Sequence, residues 1–433
     1  PLVSFTIPLV LGNLFQLTYN AADSVIVGKY VGEQALAAVG TSTPIMNIAI
    51  LLISGMCMGA SVLMSSQYGA KDYDTLSRQI STTMLAGCGF SVVFSLLMLL
   101  LANPVLRLIR VPETAIPEAA AYLRIIFMGL IFTFMYNFLA NTMRALGDSK
   151  TPLYFLVTSA FLNIFGDLFF VVVLRWGVAG SAIATVCSEG LCCLLCGIYI
   201  KKKIPLLCLG KKWWVFDKSL LGKTVSYGST SAMQQVCLQL GKLIIQSVVN
   251  TQGVAVMAAF TAVNRVDDFA YTPQQNIGHA MTTFLAQNKG AGHKERMKKG
   301  FQTGLLIELV YSIGLFCVIW GLAPQIMTLF AEDGDAQVVS LGISYLHLIS
   351  WMYILPGLTN GVQGFFRGIG DLKVTLYSTF MNMFGRVVAV FVMIRLLQME
   401  FASLAWANMV GWIVMLLFEV PLLVKSMRNG ECG

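Results

Sequence analysis

Long apolar runs recur roughly every 35 residues from one end of this chain to the other, far more than a soluble core can use. A helix takes roughly 20 apolar residues to cross a bilayer, and twelve stretches reach that length. Hydrophobic residues make up 57% of the 433 and charged residues only 12%, which leaves little polar surface for a soluble fold. In lipid only helices and closed barrels satisfy every backbone polar group, and runs this long are helical. The sequence therefore predicts an all-α polytopic membrane protein. Its spans are expected near 3–28, 34–66, 79–102, 119–142, 151–174, 177–200, 219–249, 254–287, 300–323, 338–364, 372–395 and 401–425. Several exceed the bilayer thickness and should tilt or protrude. The first run is too long for a cleaved signal peptide and carries Asp23; since the chain opens on Pro1, a short N-terminal stretch is expected to precede it.

A formal net charge of +8 raises the question of nucleic acid, and the placement of the basic residues answers it. Twenty Lys and Arg collect in the loops after the even-numbered spans, against six in the opposite loops. The partner implied is the lipid bilayer and not nucleic acid, with both termini on the cytoplasmic side of the inner membrane. Eight of the ten cysteines fall inside spans, so they form no disulfide framework. Cys192 and Cys196 share a helix face, but only three histidines exist to complete a metal site. Neither a phosphate-binding Gly-x-x-x-x-Gly-Lys motif nor a cluster of His, Asp and Arg in the loops is present, so no enzyme and no cofactor is expected.

The second half repeats the first. At a spacing of 221, Gly32, Ala37, Ala38, Gly69 and Ala70 meet Gly253, Ala258, Ala259, Gly290 and Ala291. At 223, Arg144, Gly147, Asp148 and Lys150 meet Arg367, Gly370, Asp371 and Lys373. At 219, Asn163, Phe165 and Gly166 meet Asn382, Phe384 and Gly385. Six spans per copy is an even number, so the two copies enter the membrane in the same orientation, a parallel repeat. The expected division is a six-helix bundle over 1–200, a basic cytoplasmic linker over 201–218 and a second six-helix bundle over 219–433. The linker carries Trp213 and Trp214 and should rest at the headgroups. The Arg-x-x-Gly-Asp twins are expected to be structural loops.

Charges inside the spans need a reason, because each costs about 2.5–3.5 kcal/mol at mid-helix. Three are basic, Lys242, Arg265 and Arg386; seven are acidic, Asp23, Asp167, Glu189, Asp267, Asp268, Glu308 and Glu419. The surplus of acids points to cations, whether H+, Na+ or an organic substrate. Asn163 and Asp167 are four apart and share a helix face. They are either a packing hydrogen bond or a site for a cation or proton, and the second is the default for intramembrane acids. The same choice applies to Asp23, with Tyr19 one turn before it. Pro8 can kink or hinge the first span. Arg265 and Asp268 are placed to pair, Lys242 to neutralise Asp267, and Glu419, near a helix end, to reach water.

These residues resemble the multidrug and toxic compound extrusion (MATE) family. The likeness rests on the twelve spans, the parallel repeat, Asp23 with Val27-Gly28 and Ala35-Leu-Ala-Ala-Val39, Gln67-Tyr-Gly-Ala70, and Ala286-Gln-Asn-Lys-Gly-Ala291. It implies two six-helix bundles forming a V with a central cleft, and export of lipophilic, cationic compounds in exchange for H+ or Na+. In the DinF-type branch the first bundle carries the coupling site; by resemblance it comprises Asp23, Tyr19, Asn163, Asp167 and Thr185, with Pro8 as the hinge of the first helix. Na+, if that is the ion, would sit at Asp23, Asn163 and Asp167. Another branch has a glutamate on the seventh helix, where this chain has Gln234, Gln235 and Gln239.

The expectation is thus an alternating-access antiporter, acting as a monomer on small-molecule substrates, with no cofactor beyond its coupling ion. Gln16, Asn20, Gln235, Asp268 and Asn276 are the candidate residues of the substrate cleft. The alternative is a lipid-linked oligosaccharide flippase of the same superfamily, which would need a strongly cationic cavity.

Overall fold

The computed structural model describes residues 2–31, 33–108, 111, 113, 115–204, 214–330, 336–397, 401 and 403–428. Within helices, the side chains at 17, 19–25, 27, 28, 33–38, 41, 254, 329, 330, 395, 396 and 403 lie outside that description. All twelve expected spans are helices: α1 (Leu2–Tyr30), α2 (Glu33–Gly69), α3 (Tyr73–Leu108), α4 (Ile116–Met128 and Leu130–Ala145), α5 (Lys150–Asp167) and α6 (Gly177–Lys203). The second set is α7 (Lys218–Val249), α8 (Val254–Gly290), α9 (Lys294–Phe330), α10 (Ala336–Ser350, a 3₁₀ turn Trp351–Tyr353, and Ile354–Ile369), α11 (Leu372–Val390) and α12 (Ser403–Arg428). Among the described residues there is no strand. Eight of these helices are long and apolar enough to cross a membrane on composition alone, and α4 makes a ninth. Its two arms meet at 46° around Gly129, where any Cβ would lie 2.4 Å from Val186 Cγ2.

The repeat is visible in backbone detail. Both α5 and α11 run on into one π-helical stretch, Leu168–Val173 and Phe391–Leu396, at the 223-residue spacing. Gly147 and Gly370 close the preceding helices with φ of +91° and +86°, which an L side chain adopts only under strain. Asp148 then caps α5, its Oδ1 accepting from the Lys150 and Thr151 amides at 3.1 and 3.0 Å. The Arg-x-x-Gly-Asp twins therefore end one helix and start the next.

The chain forms two compact units, Ile7–Ala232, and Pro1–Thr6 with Met233–Gly433. Large apolar side chains line the outside of both, such as Phe165 and Leu100 in the first and Phe384 and Leu417 in the second. Many polar side chains within the helices are buried, among them Gln79, Asn163, Gln274 and Asn408. The core of the first unit gathers Met64, Leu76, Ile80, Leu123, Phe127, Phe134 and Phe138. That of the second gathers Tyr345, Met352, Tyr353, Phe260 and Trp412.

The division falls inside α7, and packing explains why. Gly55 and Gly59 on α2 let the first turns of α7 approach closely: a Cβ on Gly59 would meet the Tyr227 carbonyl at 2.5 Å. A polar seam on α3 holds the entry to that helix. Arg78 pairs with Asp217 at 2.5 Å, Ser81 Oγ donates to the Val215 carbonyl at 2.9 Å, and Gln79 donates to Thr224. By repeat these turns belong to the second copy; by contact they belong to the first unit. Trp214 is 77% exposed, while Trp213 lies outside the described residues.

Candidate functional site

On α5 the buried stripe is Ala160, Asn163 and Asp167, the 3–4 spacing of one helix face, and Val171 continues it in the π-helical stretch. Phe161 and Phe165 point the other way, 57% and 69% exposed. The helix therefore turns its apolar rings outward and its carboxylate inward, with Asp167 at 0% exposure and Asn163 at 3%. The second copy keeps the same orientation, with Asn382 buried and Phe384 exposed, but Arg386 takes the place of the acid.

Close approach of α6 completes the arrangement. Gly166 faces Ala184 so tightly that a Cβ would lie 2.9 Å from the Ala184 Cβ, and Gly180 does the same for the Phe170 carbonyl at 3.0 Å. This brings Thr185 to Asn163, whose Nδ2 donates to Thr185 Oγ1 at 3.2 Å. Thr185 in turn donates to the Ser181 carbonyl at 3.1 Å, so the hydroxyl is fixed from both sides. Asn163 Oδ1 has no hydrogen-bond donor among the described residues. A buried amide oxygen lacking a donor, one turn from a buried carboxylate, is a strong acceptor set for a proton or a small cation. The π-helical turn begins immediately after Asp167, a departure from α-geometry that recurs at functional positions.

One turn beyond Thr185, Glu189 Oε2 accepts from Thr133 Oγ1 at 2.5 Å. Thr185, Glu189 and Thr133 line a cavity of about 20 Å³ together with Met46, Ile126 and Val186, room for a single water. The sequence shows Glu189 as an acid in a span; its neighbours come only from the fold.

Not every expected site residue can be placed. Tyr19, Asn20 and Asp23 lie on α1, and their side chains are outside the described residues. Pro8 is buried within the unbroken α1, and Gln16 is exposed. In the second unit Gln235 is half-buried, and Asn276 is buried and donates to the Thr272 carbonyl at 2.8 Å. Asp268 is exposed and accepts from Lys242 Nζ at 3.2 Å.

Three pairings differ from expectation. Lys242 joins Asp268 and not Asp267, because consecutive residues point about 100° apart on a helix and only Asp268 faces outward. Arg265 is exposed and makes no ion pair with Asp268 among the described residues. Glu419 does not reach water: it is fully buried, within the electrostatic reach of Arg367. Arg367 donates to Gln363 at 2.8 Å, and Gln234 on α7 joins the same amide network at 3.2 Å.

Asp267 is buried and held by phenols that sequence reasoning did not connect with it. Tyr353 donates to Oδ1 at 2.5 Å and Tyr345 to Oδ2 at 3.0 Å, while Asn408 donates to the Tyr345 oxygen at 2.9 Å. Arg386 is near enough to act on it electrostatically.

Known proteins resemble this chain along most of its length. The family model described as MatE matches the chain twice, over residues 8–169 and 231–392. A probable multidrug resistance protein, YpnP of Bacillus subtilis, is 32% identical over 378 residues, 87% of this chain and 83% of that protein. A probable multidrug resistance protein, NorM of Thermotoga maritima, is 23% identical, covering 95% and 89%. Among solved structures, the outward-facing conformation of a multidrug resistance MATE family transporter of the MOP superfamily superposes with a TM-score of 0.91. It is 22% identical, over 100% of this chain and 96% of the other, and shows the same fold.

Proposed function

The chain belongs to the MatE family, and we propose that it is a cation-coupled antiporter exporting lipophilic, cationic drugs or toxic metabolites by alternating access. One observation carries the reading: Asp167, fully buried, stands one turn from Asn163, which is bonded to Thr185. An acid kept from water at that depth is stable when neutralised by a bound H+ or Na+ and reactive when it is not. In the cycle we propose, the ion enters from outside and binds at Asp23, Asn163, Asp167 and Thr185 with Tyr19. Neutralisation lets α1 bend at Pro8 and approach α5, displacing the substrate outward. When the ion leaves on the cytoplasmic side, the carboxylates again attract an organic cation.

Gln16, Asn20, Gln235, Asp268 and Asn276 are the residues we assign to substrate. The protein works in the inner membrane as a monomer with both termini cytoplasmic, the orientation that the loop charges favour. Four acidic side chains inside the first and second units, Asp167, Asp267, Glu308 and Glu419, are buried, which weighs against a flippase built to hold pyrophosphate. The test is efflux of a fluorescent cationic dye from proteoliposomes with Na+ and pH gradients imposed separately. At least one gradient should drive efflux; a response to neither would overturn the coupling.

A further inference from the structure

Glu308 lies near the middle of α9, 1% exposed, and neither carboxylate oxygen has a hydrogen-bond partner among the described residues. Its surroundings are polar. Gln274, itself at 0% exposure, donates from Nε2 to Ser312 Oγ at 3.1 Å and to the Tyr353 carbonyl at 2.8 Å. That leaves Gln274 Oε1, like the two Glu308 oxygens, without a donor. Ser312 Oγ donates to the Glu308 carbonyl at 2.7 Å, so its hydrogen is committed. Gly357 on α10 makes room: a Cβ there would lie 3.0 Å from Ser312 Oγ, 3.2 Å from Gln274 Nε2 and 3.3 Å from Glu308 Oε2.

Three buried acceptors sit in this cluster with no hydrogen supplied to them. An ionised carboxylate there would have neither a counter-charge nor a donor, which is strongly disfavoured. A hard metal cation would need about six oxygens, and Gln274 Nε2, which donates to Ser312 Oγ and the Tyr353 carbonyl, stands beside Glu308 as a donor and not as a ligand. A proton meets the need without added volume, since it converts one acceptor into a donor.

None of the other titratable groups on the packed helices donates a hydrogen bond to Glu308. Tyr311, on the same helix, donates to the Ala270 carbonyl at 3.2 Å. On α8, Asp267 is held by Tyr345 and Tyr353, Asp268 by Lys242, and Lys289 by the Ile369 carbonyl, while Tyr271 packs its ring on Tyr353 and Trp412 and its hydroxyl bonds to no described residue, Glu308 included. His279 and the exposed Arg265 make no ion pair with Glu308. On α10, His347 lies against Trp320 and Arg367 is bonded to Gln363.

We propose that Glu308, with Gln274 and Ser312, is a proton-binding site in the second unit, separate from Asp167, whose proton exchanges with water. In the exchange a water-borne proton adds to one carboxylate oxygen, giving the neutral acid, and the reverse step returns it. The neutral carboxyl supplies a single O–H to these acceptors, and release of that proton is the one step that a glutamine in its place could not perform.

Infrared pH titration of the purified full-length protein tests this, read at the C=O stretch of protonated carboxylic acids. A band present at neutral pH should be missing from Glu308→Gln, shifted in frequency by Gly357→Ala, and reversibly lost from the wild type at alkaline pH. If Glu308→Gln does not fold, the Gly357→Ala shift carries the test. An unchanged spectrum in the variants, or a Glu308 band that persists at every pH, would overturn the proposal. The readout involves no transport, so it can fail while the coupling reading at Asp167 stands, and the reverse.

Discussion

Asn163 on α5 donates its side-chain amide to Thr185 on α6 at 3.2 Å, directly beside the contact of Gly166 with Ala184. The polar contact and the small-residue contact depend on each other, because only a glycine at 166 lets the two helices come near enough for the amide to reach the hydroxyl. An acid one turn further on is thereby placed on a fixed framework.

Removing the hydroxyl tests the polar half of that framework. We predict that Thr185→Ala raises the coupling-ion concentration for half-maximal dye efflux about five- to tenfold, the worth of one hydrogen bond of about 1 kcal/mol. Thr185→Ser, which keeps the oxygen, should stay within about twofold. Equal effects from the two substitutions would show that the methyl group and not the hydroxyl matters.

The small-residue half is tested at Gly166. Leucine there must push against Ala184, and overpacking of this kind costs about 1–3 kcal/mol. We predict lower thermal stability in detergent together with the weaker ion response of Thr185→Ala. A destabilised protein whose ion response is normal would separate the two contacts.

At the turns, Gly147→Ala and Gly370→Ala should each lose about 1–2 kcal/mol of stability, since both positions have positive φ. Transport by the folded fraction should be unchanged, because these residues cap helices and hold no ligand. Denaturation midpoints compared with specific transport rates distinguish the two effects.

Asp267 offers a control in the second unit. Tyr353→Phe and Tyr345→Phe each remove one donor from a buried carboxylate, at about 1–3 kcal/mol each. Because both serve one acid, the double variant should not equal the sum of the singles. Additive losses measured in a double-mutant cycle would mean that the phenols act independently.

The legibility of this protein follows the range of each interaction. The twelve spans could be read from sequence because apolar length is local, and the repeat could be read because Gly147 and Gly370 need the same backbone conformation. The shared inward face of Asn163 and Asp167 was legible for the same reason, being set by helical spacing. The bend at Gly129 was hidden, since it depends on Val186, 57 residues away. The π-helical turns leave no pattern that periodicity detects. Spacing along α8 does not say which of Asp267 and Asp268 faces Lys242 on α7, so the pairing with Asp268 emerges only from the fold. Glu308 is visible in the sequence only as one of the acids within spans. The orphaned oxygens around it required Gln274, which is distant in sequence.

The central claim is that Asp167 binds the coupling ion, and Asp167→Asn tests it most directly. The variant keeps size and shape and removes only the charge and the exchangeable proton. Wild type and variant should be reconstituted together, after equal thermal stability in detergent has been confirmed, and dye efflux measured under imposed Na+ and pH gradients. We predict gradient-driven efflux for the wild type and none above the protein-free background for Asp167→Asn. Gradient-driven efflux by the variant at the wild-type rate would contradict the account.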